Sequence, residues 1–194
     1  MNKLILASTS PYRRALLERL GIPFQCESPL CKEEQYKSKI QNPRELAETL
    51  AEAKSTSVPT FIFSRAATII GGDQVACIKS QILDKPGTHA RALEQLTLLS
   101  GKTHELITAI VVRKGTKVWR HTDVTRLKMR KLTREQLVRY LKADQPYDCA
   151  GSFKLEARGI ALFEKIDSAD HTAITGLPLI ALTRILVQVG FKLP

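Results

Sequence analysis

A mixed α/β (α+β) fold, with a long twisted mixed β-sheet flanked by helices in a single domain over residues 1–194, is predicted by three features of this sequence. Short apolar runs end in turn residues. Several helical stripes open on recognisable caps. Two long strand-like segments near residues 105–127 meet at a glycine turn, and strands and helices follow one another without strict alternation.

Taken in order, residues 4–7 (Leu-Ile-Leu-Ala) read as a buried strand. Ser10 is placed to cap a helix whose first position is Pro11; it runs over residues 11–20, where Gly21 stops it. Residues 23–26 begin a second strand. Asn42-Pro43-Arg44-Glu45 is a capping signature, and the helix it opens turns Leu46, Leu50 and Ala53 inward with Lys54 near its end. Residues 67–71 form a further apolar strand that ends in Gly71-Gly72-Asp73-Gln74. A hairpin-like element follows from Val75 through Ile82 to Lys85-Pro86. Thr88 caps a helix to Leu98, with Leu93, Leu96 and Leu99 apolar. Strands are expected over 105–113 and 117–127, joined by Lys114-Gly115-Thr116, and a helix over 133–143 with Leu137 and Leu141 on one face. Residues 159–166 read as a strand. Pro178 opens a last helix whose Leu182, Ile185, Leu186 and Val189 form one stripe before Gly190 ends it.

Composition narrows the function classes. Hydrophobic residues at 43% and charged residues at 25% are ordinary for a globular chain. No apolar run reaches the roughly 18 residues of a membrane span, and the N-terminus lacks a signal-peptide pattern, so a cytoplasmic protein with no membrane partner is expected. Cys26, Cys31, Cys77 and Cys149 are scattered without a C-x-x-C pair, which fits reduced thiols rather than a zinc site. The net charge of +11 invites an anionic partner. One basic cluster, Arg126, Lys128, Arg130, Lys131 and Arg134, alternates with Leu127 and Met129 at its start but has no interleaved aromatics, which disfavours nucleic acid and leaves a small polyanion or a solvated face.

The first fourteen residues are the most informative. A strand delivers Ser8, Thr9 and Ser10, then Pro11, Tyr12, Arg13 and Arg14, to one helix start, where hydroxyls, free N–H groups and guanidiniums suit phosphate. Neither G-x-x-x-x-G-K-[ST] nor G-x-G-x-x-G occurs. Asp73 is the sharpest catalytic candidate: a carboxylate carried out of a buried strand through two glycines can bind Mg²⁺ or take a proton from water, though a turn aspartate can equally cap its own backbone. Lys54 and Lys85 flank structural breaks and can hold phosphates; Glu33 could supply a second carboxylate. Residues 148–156, dense in small side chains, end in Glu156.

Ser8-Thr9-Ser10-Pro11-Tyr12-Arg13-Arg14, Glu33, Ala53-Lys54, Gly72-Asp73-Gln74-Val75, Lys85-Pro86, Ala150-Gly151-Ser152-Phe153 and Gly176-Leu177-Pro178-Leu179 together resemble the Maf-like nucleotide pyrophosphatases over nearly the whole chain. Asp73-Gln74 and the 152–156 run are similar to the YceF-like subgroup, associated with 7-methyl-GTP. The resemblance implies an elongated fold related to inosine triphosphate pyrophosphatases, with a cleft between two lobes, often as a homodimer. It implies metal-dependent hydrolysis of a nucleoside triphosphate to a monophosphate and pyrophosphate, linked to nucleotide-pool cleaning or cell-division arrest. In those terms Asp73 is the general base, and Glu33 with Asp73 holds Mg²⁺ or Mn²⁺. Ser8, Arg13, Arg14, Lys54 and Lys85 bind phosphate, and Tyr12, Gln74 and Glu156 select the base. The alternatives are a dTTP/UTP-directed member of the same family and a basic nucleic-acid-binding protein. Tyr12 stands where the subgroup often has tryptophan, Lys32 where an acid is expected, Ala157 where glycine is, and Asp84 where glycine commonly precedes the matched lysine.

Overall fold

The computed structural model describes residues 3–58 and 67–193, so Met1 and Asn2 of the informative N-terminal stretch lie outside the described residues. The elements, in order, are β1 (Leu4–Ala7), α1 (Pro11–Glu18), β2 (Gln25–Glu27), α2 (Glu34–Lys37), α3 (Pro43–Thr56), β3 (Thr68–Ile78), β4 (Gln81–Leu83), α4 (His89–Leu99), β5 (Thr103–Lys114), β6 (Lys117–Met129), α5 (Arg134–Asp144), β7 (Phe163–Asp167) and α6 (Leu179–Val189). The strands form one seven-stranded sheet in the order β2-β1-β3-β5-β6-β7, with β4 paired to β3 off that path. β1 is parallel to both β2 and β3, whereas β3–β4 and β6–β7 are antiparallel, so the sheet is mixed as expected.

The caps predicted at Ser10, Asn42 and Thr88 form, and Thr133, expected as the first residue of its helix, caps it instead. Ser10 accepts from the Arg13 amide, and Asn42 Oδ1 accepts from the amides of Arg44 and Glu45 at 3.0 and 3.1 Å. Thr88 accepts from the Arg91 amide, and Thr133 with Gln136 closes a reciprocal capping box.

The chain forms two compact units. The first comprises Met1–Gln74, Thr108–Asp123 and Asp170–Pro194; the second comprises Val75–Ile107 and Val124–Ala169. In the first, Leu4, Leu6, Ile70, Ile110 and Val112 from the sheet pack against Leu16 and Leu17 of α1 and Leu182, Ile185, Leu186 and Val189 of α6. α3 lies against β3 at Gly71. A Cβ there would stand 2.6 Å from the Ser55 nitrogen and closer still to the Ala51 carbonyl oxygen, so only glycine admits the helix backbone. In the second unit, His104 is 1% exposed and sits edge-on to Phe153 and tilted against Phe163, with ring centroids 5.5 and 5.8 Å away.

Two local expectations need correction, and one element was not foreseen. The strand expected to stop at Gly71 continues through Asp73 to Ile78, because Gly71 and Gly72 serve close packing rather than a turn. Asp73 therefore sits within a strand, and the hairpin with β4 grows from that same strand across Lys79-Ser80. Residues 159–166 are not one strand: Arg158–Leu162 wind into a 3-10 turn held by the Ala157 and Gly159 amides on the Lys154 carbonyl, and β7 starts only at Phe163. The polar segment after Lys32 contains a short helix, α2, that its charges did not announce.

Candidate active site

β1 pairs with β3 from Leu4–Thr68 to Ala7–Gly71 and then stops, so Gly72, Asp73 and Gln74 continue without a β1 partner. The turn Ser8–Ser10 and the start of α1 begin at that point. The carboxyl ends of parallel strands are where open α/β sheets place ligands.

Asp73 is only 7% exposed. The close approach of α3 at Gly71 brings Lys54, in the last turn of that helix and equally buried, onto it. Lys54 Nζ donates to Asp73 Oδ1 at 2.6 Å and pairs with Glu33 Oε1 at 2.8 Å. One ammonium thus joins a buried carboxylate to a half-open one. Arg13 is the fourth member. Burial pulls its guanidinium below the ordinary value, and the charges of Asp73 and Glu33 act in the opposite sense. Its Nε donates to the Gly176 carbonyl at 3.1 Å. Two acids and two bases make this cluster formally neutral.

Gln74 points its amide nitrogen at three acceptors: Thr108 Oγ1 at 2.9 Å, the Ala173 carbonyl at 2.9 Å and the Ile174 carbonyl at 3.0 Å. Only nitrogen can face two carbonyl oxygens, which fixes the amide's orientation and turns Oε1 the other way. Ser8 is buried and accepts from the Ser10 amide at 3.1 Å. Tyr12 is half-buried in the first turn of α1.

Arg14 is not brought to this cluster. Neighbouring helix residues point about 100° apart, so both arginines of the pair cannot face one spot. Arg14 is exposed and pairs with Glu18 at 3.0 Å. Lys85 and Glu156 belong to the second unit, and both are exposed. The segment leading to Glu156 is pinned: Tyr140 Oη accepts from the Lys154 amide at 2.9 Å, Ser152 bonds Gln95, and Ser152 adopts φ +65° while fully buried.

Glu33 and Asp73 converge on one cation-sized point, the Lys54 ammonium. Among the described residues no group of three His, Cys, Asp or Glu side chains converges anywhere. Glu33 and Asp73 are the two carboxylates here that could hold a hard divalent cation such as Mg²⁺, which takes oxygen ligands.

A family model described as Maf-like protein matches residues 3–189. The chain belongs to the Maf-like family. Its relatives match over nearly all of both chains. A protein of Bdellovibrio bacteriovorus is 49% identical over 184 residues, 95% of each chain. One from Xanthomonas axonopodis pv. citri is 45% identical over 194 residues, all of both chains, and one from Pseudomonas syringae pv. tomato is 41% identical over 196 residues, again all of both. Each of these three is named 7-methyl-GTP pyrophosphatase. No helix among the described residues is long and apolar enough to cross a membrane.

Sequence reasoning missed Asp170, Thr172 and Thr108, which build the loop behind Arg13 and Gln74. An Asp-x-Thr before a Gly-x-Pro turn was the available signal, since both side chains favour bonds to nearby backbone.

Proposed function

We propose that this chain hydrolyses 7-methyl-GTP between the α and β phosphorus atoms, releasing 7-methyl-GMP and pyrophosphate. The observation that carries this reading is a buried Asp73 held 2.6 Å from Lys54 beside Arg13, in a chain whose full-length relatives bear that activity in their names.

Lys54 engages Oδ1 of Asp73. The other oxygen, Oδ2, accepts a proton from water as that water attacks the α-phosphorus. Pyrophosphate leaves, so the protein's task is to place the water and offset charge on the phosphates. Arg13 and Ser8, both beside the break after β1, bind phosphate oxygens, and Lys54 and Lys85 add point charges. The neutral cluster does not by itself offset a triphosphate. Glu33 and Asp73 are the residues that would hold Mg²⁺ or Mn²⁺, which supplies that charge when bound.

Base choice rests on Tyr12, Gln74 and Glu156. A carboxylate accepts both guanine donors, N1–H and the 2-amino group, whereas uracil offers one N3–H. Methylation at N7 makes the ring cationic, which favours the Glu156 charge and the Tyr12 face. Gln74, its nitrogen already engaged, contributes an acceptor.

The test is pyrophosphate release across 7-methyl-GTP, GTP, UTP and dTTP, with Mg²⁺, Mn²⁺ or a chelator, in ¹⁸O-water. Fastest turnover of 7-methyl-GTP with the label in 7-methyl-GMP is expected. Faster UTP turnover rejects the base assignment, and label in pyrophosphate rejects attack at the α-phosphorus.

A further inference from the structure

Arg13 lies in a slot between two glycines. A Cβ on Gly176 would come within 3.3 Å of both Cγ and Nε of Arg13, and one on Gly72 would come within 3.7 Å of Nε. Gly176 adopts φ +119°, which an L side chain rarely takes, and its carbonyl receives the Arg13 Nε–H. The place of this guanidinium is therefore set by the backbone of residues 170–180.

That backbone is organised by one buried carboxylate. Asp170, 4% exposed, accepts at Oδ1 from both the amide and the hydroxyl of Thr172, and at Oδ2 from the Ile180 amide at 2.7 Å. Thr172 Oγ1 in turn accepts from the Leu179 amide at 2.8 Å. These bonds satisfy the first turn of α6, whose own N-cap, Pro178, has no side chain able to do so. They close a loop whose outer carbonyls are then taken by the site: Ala173 by Gln74 and Thr108, Ile174 by Gln74, and Gly176 by Arg13. The amides of Leu179 and Ile180 end on Thr172 and Asp170, and the carbonyls of Ala173, Ile174 and Gly176 end on Gln74, Thr108 and Arg13.

We infer that Asp170, through Thr172 and the Gly176 carbonyl, is a positioning residue that fixes the Arg13 guanidinium for the substrate's phosphates. The inference rests on the reading of Arg13 as a phosphate-binding residue. The Asp170 carboxylate is buried, and both of its oxygens are engaged by Thr172 and Ile180. Asn at position 170 would turn an N–H group toward one of the amides that now donate to it, so the loop would open at one end and the Gly176 carbonyl would shift.

The experiment is a double-mutant cycle on pyrophosphate release from 7-methyl-GTP. Arg13→Ala, Thr172→Val and the pair are compared, with Thr172→Ser as the conservative variant and Asp170→Asn measured alongside. Thr172→Val keeps the side chain's shape, removes only the hydroxyl and leaves the Asp170 bond to the Ile180 amide, so it is the milder variant, and thermal unfolding of each chain checks that it is folded. The expected result is a kcat/KM loss of about tenfold for Thr172→Val, restored by Thr172→Ser, and a loss under about twofold when Arg13 is already alanine. A merely structural role moves thermal stability while leaving the Thr172→Val effect unchanged in the Arg13→Ala background, and that result overturns the inference. Full activity of Arg13→Ala alone instead overturns the phosphate-binding role of Arg13, and the inference falls with it.

Discussion

His104 makes the chain sensitive to acid in a way that can be worked from its surroundings. Neither ring nitrogen has a hydrogen-bond partner among the described residues, and Phe153 and Phe163 crowd the ring. Burial pushes its pKa down to about 4 from an ordinary 6.5. The unfolded chain therefore takes up this proton first as pH falls. The stability linked to His104 is whole above about pH 6.5, declines between about 6.5 and 4, and changes no further below that. A shift of this size corresponds to about 3 kcal/mol, a large share of the 5–15 kcal/mol typical of a folded domain. Carboxylates titrate near the lower end of that window, so the comparison must be with a chain that lacks only this ring. His104→Leu removes the titration and fills the site with apolar volume. Urea unfolding of both chains from pH 7.5 to 4 is the assay. The variant should gain on the parent by about 3 kcal/mol across the window. Parallel pH profiles for the two chains would refute the reasoning, because they would mean that the buried ring does not resist its proton.

Other predictions follow from the same geometry. Lys54→Met leaves Asp73 and Glu33 facing each other without their shared ammonium and should cost about 3–5 kcal/mol in chemical denaturation; a loss below about 1 kcal/mol would show that the pair is not buried as described. Gly71→Ala drives a methyl into the backbone of α3 and should lower stability by about 1–3 kcal/mol, with activity reduced further because Lys54 moves off Asp73; an unchanged melting temperature would contradict that contact. Glu156→Gln should lower the preference for 7-methyl-GTP over UTP by about tenfold while hydrolysis continues, as measured by paired kcat/KM values, and unchanged selectivity would remove Glu156 from base recognition.

Much of the fold was legible because local signals and tertiary packing agreed. Ser10-Pro11, Asn42-Pro43 and Thr88 announced helix starts that the structure keeps, and the apolar stripe of α6 is the face that packs in the core. Two successive glycines in β3 look like a turn in the sequence; their cause, the α3 backbone against Gly71 and Arg13 beside Gly72, is long-range and leaves no local trace. Residues 159–166 carry strand-like side chains, but Gly159 packs against the Lys154 carbonyl, and that contact winds the chain into a 3-10 turn. In the site, neither the meeting of Asp73 with Lys54 nor the Lys54 bridge to Glu33 could be read from spacing. Arg13 and Arg14 look equivalent in the sequence, and the helix sends Arg14 to Glu18 while Arg13 bonds the Gly176 carbonyl. Asp170 went unseen because the Ile180 amide, its partner ten residues away, is a backbone donor that sequence does not mark.

The site depends on Asp73 more than on any other residue. Asp73→Asn is a clean perturbation, since Glu33 still pairs with Lys54 and the strand still carries an isosteric side chain. Pyrophosphate release by this variant at saturating 7-methyl-GTP is the decisive measurement. A fall in kcat of about 10²–10⁴-fold, with the nucleotide still bound and the chain still folded, is the predicted result. Turnover within a few-fold of the parent would contradict the assignment of Asp73 as the group that takes the proton from water.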